Sequence, residues 1–270
     1  MTLKLTILGC GSSTGVPRIG GDWGACDPNN PKNYRRRCSL LVEQEAPEGI
    51  TRVIIDTSPD IRQQLLDTNV DWLDGVLYTH DHADHTHGID DLRMLVMNKK
   101  RRVDVYANTE TLGVLQKRFD YCFTSPEGSV YPPILNANLV HPGQPVSISG
   151  PGGDIEVLPF LQHHGRIACL GFRFGNVAYS CDLHDLPEET LSHLQNLDVW
   201  IVDALRRKPH PTHFNLETTL SWIERVQPKK AILTDMHVDM DYQTLCEELP
   251  KHIRPAYDGL VIIDGEVLTY

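Results

Sequence analysis

Six consecutive residues, His80-Asp81-His82-Ala83-Asp84-His85, set three imidazoles and two carboxylates side by side. Imidazole nitrogen and carboxylate oxygen are the donors that zinc, manganese and iron accept, so this density of them points to metal binding. A helix would spread these positions around its circumference, whereas a loop leaving a strand end can wrap them around a point. The spacing divides the donors, with His80 and His82 serving one ion and Asp84 and His85 another. The alternative is a solvated polar loop with incidental histidines, and the number of donors weighs against it.

The elements that must hold this run in place repeat one design. Val76-Leu77-Tyr78-Thr79 is a short apolar run that ends at His80. Val53-Ile54-Ile55 ends at Asp56, and Val177-Ala178-Tyr179-Ser180-Cys181 ends at Asp182. Val199-Trp200-Ile201-Val202 ends at Asp203, and Ala231-Ile232-Leu233-Thr234 leads into Asp235 and His237. Short, continuous apolar runs suit strands covered on both faces. Between them the spacing predicts helices over 60–68, 187–197, 214–226 and 244–249. Strands alternating with helices imply an α/β layering, with polar residues gathered along one sheet edge. Pro142 to Gly153 reads as a surface loop, and residues 1–270 as a single domain.

Composition narrows the function classes. The 270 residues carry 36 acidic and 25 basic side chains, a formal charge of −11, which argues against a broad nucleic-acid footprint. A small anionic substrate stays open, because a metal site brings its own positive charge. No apolar run approaches the roughly 20 residues of a membrane span, and none reads as a signal peptide. The seven cysteines are scattered with no Cys-x-x-Cys pair, so reduced thiols in a cytoplasmic protein are expected.

His-x-His-x-Asp-His after an apolar strand resembles the signature of the metallo-β-lactamase superfamily. The resemblance implies an αββα sandwich, two mixed sheets between helices, and three further ligands at later strand ends. His164, followed by Gly165, matches the isolated histidine; Asp182 matches the bridging carboxylate; His237 matches the last ligand, with Asp235 as its competitor. One ion would then take His80, His82, His164 and Asp182, and the other Asp84, His85, Asp182 and His237. Two divalent cations, zinc or manganese, are implied. Asp56 matches the strand-end aspartate that orients a ligand histidine from behind.

The segment Leu8-Gly9-Cys10-Gly11-Ser12-Ser13-Thr14-Gly15-Val16-Pro17 has the look of a dinucleotide loop. Its spacing is wrong for one, and Val16-Pro17 stands where a helix should begin. It resembles instead the opening of the phosphodiesterase branch, which includes tRNase Z and the cyclic phosphodiesterase of the carbon–phosphorus lyase pathway. Tyr34-Arg35-Arg36-Arg37-Cys38-Ser39 is similar to the latter. Two departures stand out: Gly20 to Asp27 keeps only Cys26 of that enzyme's cysteine-rich zinc cluster, and the basic arm of tRNase Z has no counterpart.

The resemblance implies a dinuclear metal-dependent hydrolase, a phosphodiesterase of small cyclic phosphates or nucleotides working through a metal-bridging hydroxide. Asp84 is carried over as catalytic, and His213 as the proton donor to the leaving alkoxide. A helix-capping loop with surface histidines is the other reading of His213. Arg166 is a candidate phosphate contact or a solvated loop arginine. Lys99-Lys100-Arg101-Arg102 reads as a solvated helix end. The alternatives are a thioester or lactam hydrolase, and a non-catalytic nucleotide-binding protein on the same fold. The expected partner is a small phosphodiester or nucleotide, with no long nucleic acid and no membrane. A homodimer is the prior for a soluble enzyme.

Overall fold

The computed structural model describes residues 1–268 with the exception of Pro126. Its strands fall into two sets. The first comprises β1 (Thr2–Gly9), β2 (Ser39–Ala46), β3 (Gly49–Ile55), β4 (Gly75–Leu77), β5 (Val103–Ala107) and β6 (Leu135–Leu139). The second comprises β7 (Val146–Ile148), β8 (Ile155–His164), β9 (Ile167–Phe174), β10 (Val177–Ser180), β11 (Val199–Asp203), β12 (Lys230–Thr234) and β13 (Ile253–Pro255). β14 (Val261–Ile263) and β15 (Glu266–Leu268) return to the first set. The sheets run β15-β14-β1-β2-β3-β4-β5-β6 and β13-β12-β11-β10-β9-β8-β7.

Each sheet joins antiparallel strands on one side to a parallel block on the other. β3, β4, β5 and β6 pair in parallel, as do β10, β11, β12 and β13. The carboxyl ends of the parallel strands are where α/β folds place their ligands.

Side-chain alternation shows why these segments are strands. Leu40, Val42, Val53 and Ile55 join a cluster with Phe160, Leu170, Phe172 and Tyr179 of the second sheet. Their neighbours Leu41 and Ile54 point the other way, into a second cluster. That second cluster is closed by α1 (Ile61–Asp67), α3 (Leu92–Lys99) and α4 (Thr109–Arg118), through Ile61, Leu92, Leu95, Leu112 and Leu115. Between α1 and α3 lies the single turn α2 (Ala83–Thr86); α5 (Asp120–Phe123) follows α4. Ile223 of α6 (Leu216–Val226) and Leu245 of α7 (Tyr242–Glu248) join the first cluster. The result is the two-sheet, helix-flanked architecture of the metallo-β-lactamase fold.

Three local expectations are corrected. The helix expected over 187–197 is a 3-10 segment, Glu188–Leu194. The Arg173 guanidinium donates to the His193 and Gln195 carbonyls at 2.7 and 3.0 Å, drawing the chain toward the sheet. The 142–153 loop contains β7, which pairs with β8. The His80–His85 run is not all loop, since Asp84 and His85 sit on α2 and His82 is its N-cap. Among the described residues no helix is long and apolar enough to cross a membrane.

Candidate metal centre

Three aspartates that follow strands turn the chain sharply. Asp56 after β3, Asp182 after β10 and Asp235 after β12 have φ of 63°, 46° and 57°. This left-handed conformation costs a non-glycine residue on the order of 1–3 kcal/mol, and aspartate is among the side chains that tolerate it. Strain repeated at three strand ends marks the edge where the side chains meet.

His80, His82, His164 and Asp182 form one group, with donor atoms all within 4.8 Å of one another. His80 Nε2 lies 3.7 Å from Asp182 Oδ2, and His164 Nε2 lies 3.8 Å from it. His164 Nε2 is 3.3 Å from His82 Nδ1. Ligands about 2.0–2.1 Å from one ion in a tetrahedron stand roughly 3.3–3.4 Å apart, so these edges suit a single cation with slight contraction. The backs of the rings are tied. Thr79 donates its hydroxyl to Asp56 Oδ2 at 2.8 Å and accepts from His80 Nδ1 at 2.9 Å. His164 Nδ1 donates to the Thr212 carbonyl at 2.8 Å. Both fixations leave Nε2 with its lone pair facing the group.

Asp84, His85 and Asp182 form the second group. His85 Nε2 lies 3.4 Å from both Asp84 Oδ2 and Asp182 Oδ1. Its Nδ1 donates to Asp56 Oδ2 at 2.7 Å, and Asp56 Oδ1 accepts from the Thr79 amide at 2.9 Å. Asp56 therefore fixes His85 directly and His80 through Thr79. Asp182 belongs to both groups, one oxygen turned to each.

A third group, Asp182, His213 and Asp235, adjoins them. His213 Nδ1 donates to Asp203 Oδ2 at 2.9 Å and lies 3.1 Å from Asp235 Oδ2. The His213 ring stands 4.6 Å from that of His164, centroid to centroid. His237 is in none of these groups. Its Nδ1 faces Asp239 at 3.2 Å and its Nε2 faces Arg18 at 3.5 Å, so it stands on the rim while Asp235 reaches inward. Arg35, buried, donates to the His237 and Met240 carbonyls and fixes this segment. Arg166 is exposed in the β8–β9 turn and does not line the cavity. That cavity, about 430 Å³, is lined by His82, Asp84, His164, Asp182, His213 and Asp235, with Ser12, Arg206 and His237 beside them.

The beta-lactamase superfamily domain matches residues 51–236, which hold all three groups. The chain belongs to this superfamily. A solved structure of a new diphosphatase from the PhnP family is 34% identical, with 97% of each chain covered and a TM-score of 0.86. The human short-form tRNase Z, at 15% identity, TM-score 0.64, and 96% and 98% coverage, shares the fold. So does zinc-bound PqqB from Methylobacterium extorquens, at 17% identity, TM-score 0.70, and 96% and 99% coverage. A curated relative in Porphyromonas gingivalis, named an octanoyltransferase, is 35% identical over 98% of this chain. The chain spans about half that relative's length, 52%.

A superfamily hydrolase binds divalent metal, and the donors here fit one. His80 Nε2, Asp182 Oδ1 and Asp235 Oδ2 are buried with no hydrogen-bond partner among the described residues. Burial pushes the His80 and His164 imidazoles down, His164 to about 4, so both rings are neutral, as ligands must be. Burial, with Asp182 and Asp203 nearby, raises Asp235 well above the carboxylate range. Such a crowd of buried carboxylates calls for a cation. Burial opposes charge on His213, yet Asp203 and Asp235 outweigh it and hold the imidazolium well above its ordinary range.

Asp203 and Thr79 are the contributors that sequence reasoning passed over. Asp203 was visible as the end of an apolar run, but nothing local marked His213 as its partner.

Proposed function

We propose that the protein is a dinuclear phosphodiesterase of small organic phosphates, cyclic phosphates or nucleotides, with zinc or manganese in two positions. One would be held by His80, His82, His164 and Asp182, the other by Asp84, His85, Asp182 and Asp235. In this reading Asp235 takes the place expected for His237. The observation that carries the proposal is the Asp203–His213 pair beside the two donor groups. A thioester, whose thiolate departs without a proton, has little use for a held imidazolium, whereas a departing alkoxide needs a proton. The diphosphatase of the PhnP family, alike over the whole chain, supports phosphorus chemistry.

Two divalent cations would supply a nucleophile from water near neutral pH and neutralise charge on the phosphoryl oxygens. The chain's own residues do the rest. Asp56 and Thr79 hold His85 and His80 in the tautomers that present Nε2. Asp182 fixes the spacing of the two positions. Asp203 accepts from Nδ1 of His213, leaving Nε2–H as the proton for the leaving oxygen, and it steadies the ring as that proton departs. The octanoyltransferase name belongs to a relative of about twice this length. A cytoplasmic setting, which keeps the cysteines as thiols, belongs to the same proposal.

Turnover of bis(p-nitrophenyl) phosphate, a chromogenic lactam and a glutathione thioester by the metal-loaded protein tests the reading. Cleavage of the phosphodiester is expected; cleavage of the lactam or thioester alone would overturn it.

A further inference from the structure

Among the helices that cover the first sheet, a groove of about 830 Å³ opens between α3, α5 and residues 129–134, which lead into β6. It shares no lining residue with the cavity at the metal centre. Its floor is recessed and apolar, with Val96 8% exposed and Ile134 2%. Its walls are Met97, Tyr121 and Tyr131, all exposed. Met94 stands one turn before Met97, and Val130 adjoins Tyr131. Five of the ten exposed large apolar side chains among the described residues thus gather on this one face. Single apolar residues on a surface need no explanation, whereas a contiguous set rimmed by polar groups marks a binding site. The far wall is fastened. The Ile134 amide donates to the Cys122 carbonyl at 2.8 Å, and the Ser125 hydroxyl donates to the Tyr131 carbonyl at 2.8 Å.

Arg93, Lys100, Arg101 and Arg102 also line the groove, and among the described residues no carboxylate does. In a chain of formal charge −11 that concentration of cations runs against the average. Two of the four are already answered. Arg93 pairs with Asp90 at 2.6 Å, and Arg101 lies 3.8 Å from Asp74 and over the Trp72 ring. Lys100 and Arg102 pair with no carboxylate among the described residues, unlike Lys99, which pairs with Asp71 at 2.9 Å. The basic run 99–102, expected as a solvated helix end, therefore sets two free cations at a groove. Free charge stands past the carboxyl end of α3, and answered charge at its first turn, roughly 10 Å away.

We propose that this groove binds a small anionic amphiphile, a carboxylate on an unbranched apolar chain. Its head lies at Lys100 and Arg102, and its chain runs along Val96, Met97 and Ile134. Covering the recessed floor supplies affinity, and the two free cations select an anion over a neutral or cationic head. A concave apolar cavity of this size with a few convergent charges is the form of a small-molecule site. A membrane surface would reach Met97 and Tyr131 but not the floor beneath them. A second copy docked through the same face would set these cations against their own counterparts.

Calorimetric titration of the metal-loaded protein with decanoate, butyrate and decyltrimethylammonium tests this, since butyrate lacks the long chain and decyltrimethylammonium the anionic head. Decanoate should bind at least about tenfold tighter than either. Lys100 has φ 54°, a conformation that asparagine tolerates, so Lys100→Asn combined with Arg102→Gln removes both free charges without straining the turn. That double variant should lose about tenfold on decanoate and stay within about twofold on decyltrimethylammonium. Met97→Glu, at an exposed helix position, places a carboxylate on the wall and should also cost decanoate about tenfold. Decanoate held at the metal positions instead would be matched by butyrate and indifferent to all three substitutions. That pattern would overturn the proposal, and so would capture by phosphatidylserine vesicles with no binding of decanoate.

Discussion

The two sheets share a strand plan but supply the centre in opposite ways. The first sheet delivers His80, His82, Asp84 and His85 from one strand end and the single turn after it. The second sheet delivers one residue at a time: His164 from β8, Asp182 after β10, Asp203 from β11, and Asp235 after β12. The first contribution is mostly imidazole and is written in six adjacent positions. The second is mostly carboxylate and exists only once the parallel strands are aligned. Their meeting point is Asp182, with one oxygen near His80 and His164 and the other near His85. Under the proposed function, metal affinity would rest chiefly on the first sheet, and bridging and proton delivery on the second.

Substitutions can break that division, and His213→Ala carries the largest expected loss. It should lower kcat on a diester with an alkyl leaving group by about 10²–10⁴ and leave metal content at the unaltered level. With p-nitrophenolate leaving, the loss should be far smaller, because that group departs without a proton. Equal losses on both substrates would remove His213 as donor. On the first-sheet side, Asp56→Ala should weaken metal affinity about 10–100-fold, measured by competition with a chelator, since His85 loses its anchor.

A finer comparison sets Asp235 against its neighbour two residues on. Asp235→Asn should lower occupancy of one of the two positions, read by elemental analysis, whereas His237→Ala should retain both. The reverse pattern would restore His237 as the ligand. The smallest effect lies away from the cavity, at Asp241. It caps α7 through Thr244 and accepts from the Asp27 amide and from Asn33. Those hydrogen bonds outweigh its burial and lower its pKa to about 2. Folding thus favours the ionised carboxylate. The stability it lends is full above the unfolded value of about 3.9 and fades as pH falls through about 2. Asp241→Ala should cost about 1 kcal/mol at pH 7 in urea unfolding, and less at pH 2.5.

How much of this was legible follows the same division. The histidine–aspartate run, the strand-end aspartates and the layered fold could be read directly, because each rests on local spacing. Asp182 could be singled out because its strand is a clean apolar run. The choice between Asp235 and His237 could not be read. Both follow the same strand, and the left-handed turn at Asp235, with Arg35 holding the chain beyond it, decides which side chain faces inward. The pairing of Asp203 with His213 escaped, because the two lie ten residues apart across a loop. The helix expected after Pro187 failed because Arg173, from another strand, takes carbonyls that a helix would need.

In the proposed dinuclear centre, Asp182 is the residue that joins the two halves. Elemental analysis of Asp182→Ala beside the unaltered protein, after identical metal loading and desalting, tests it most directly. About two divalent ions per chain are expected in the unaltered protein and loss of both in the variant, with the fold retained by circular dichroism. A folded Asp182→Ala protein that keeps both ions would contradict it.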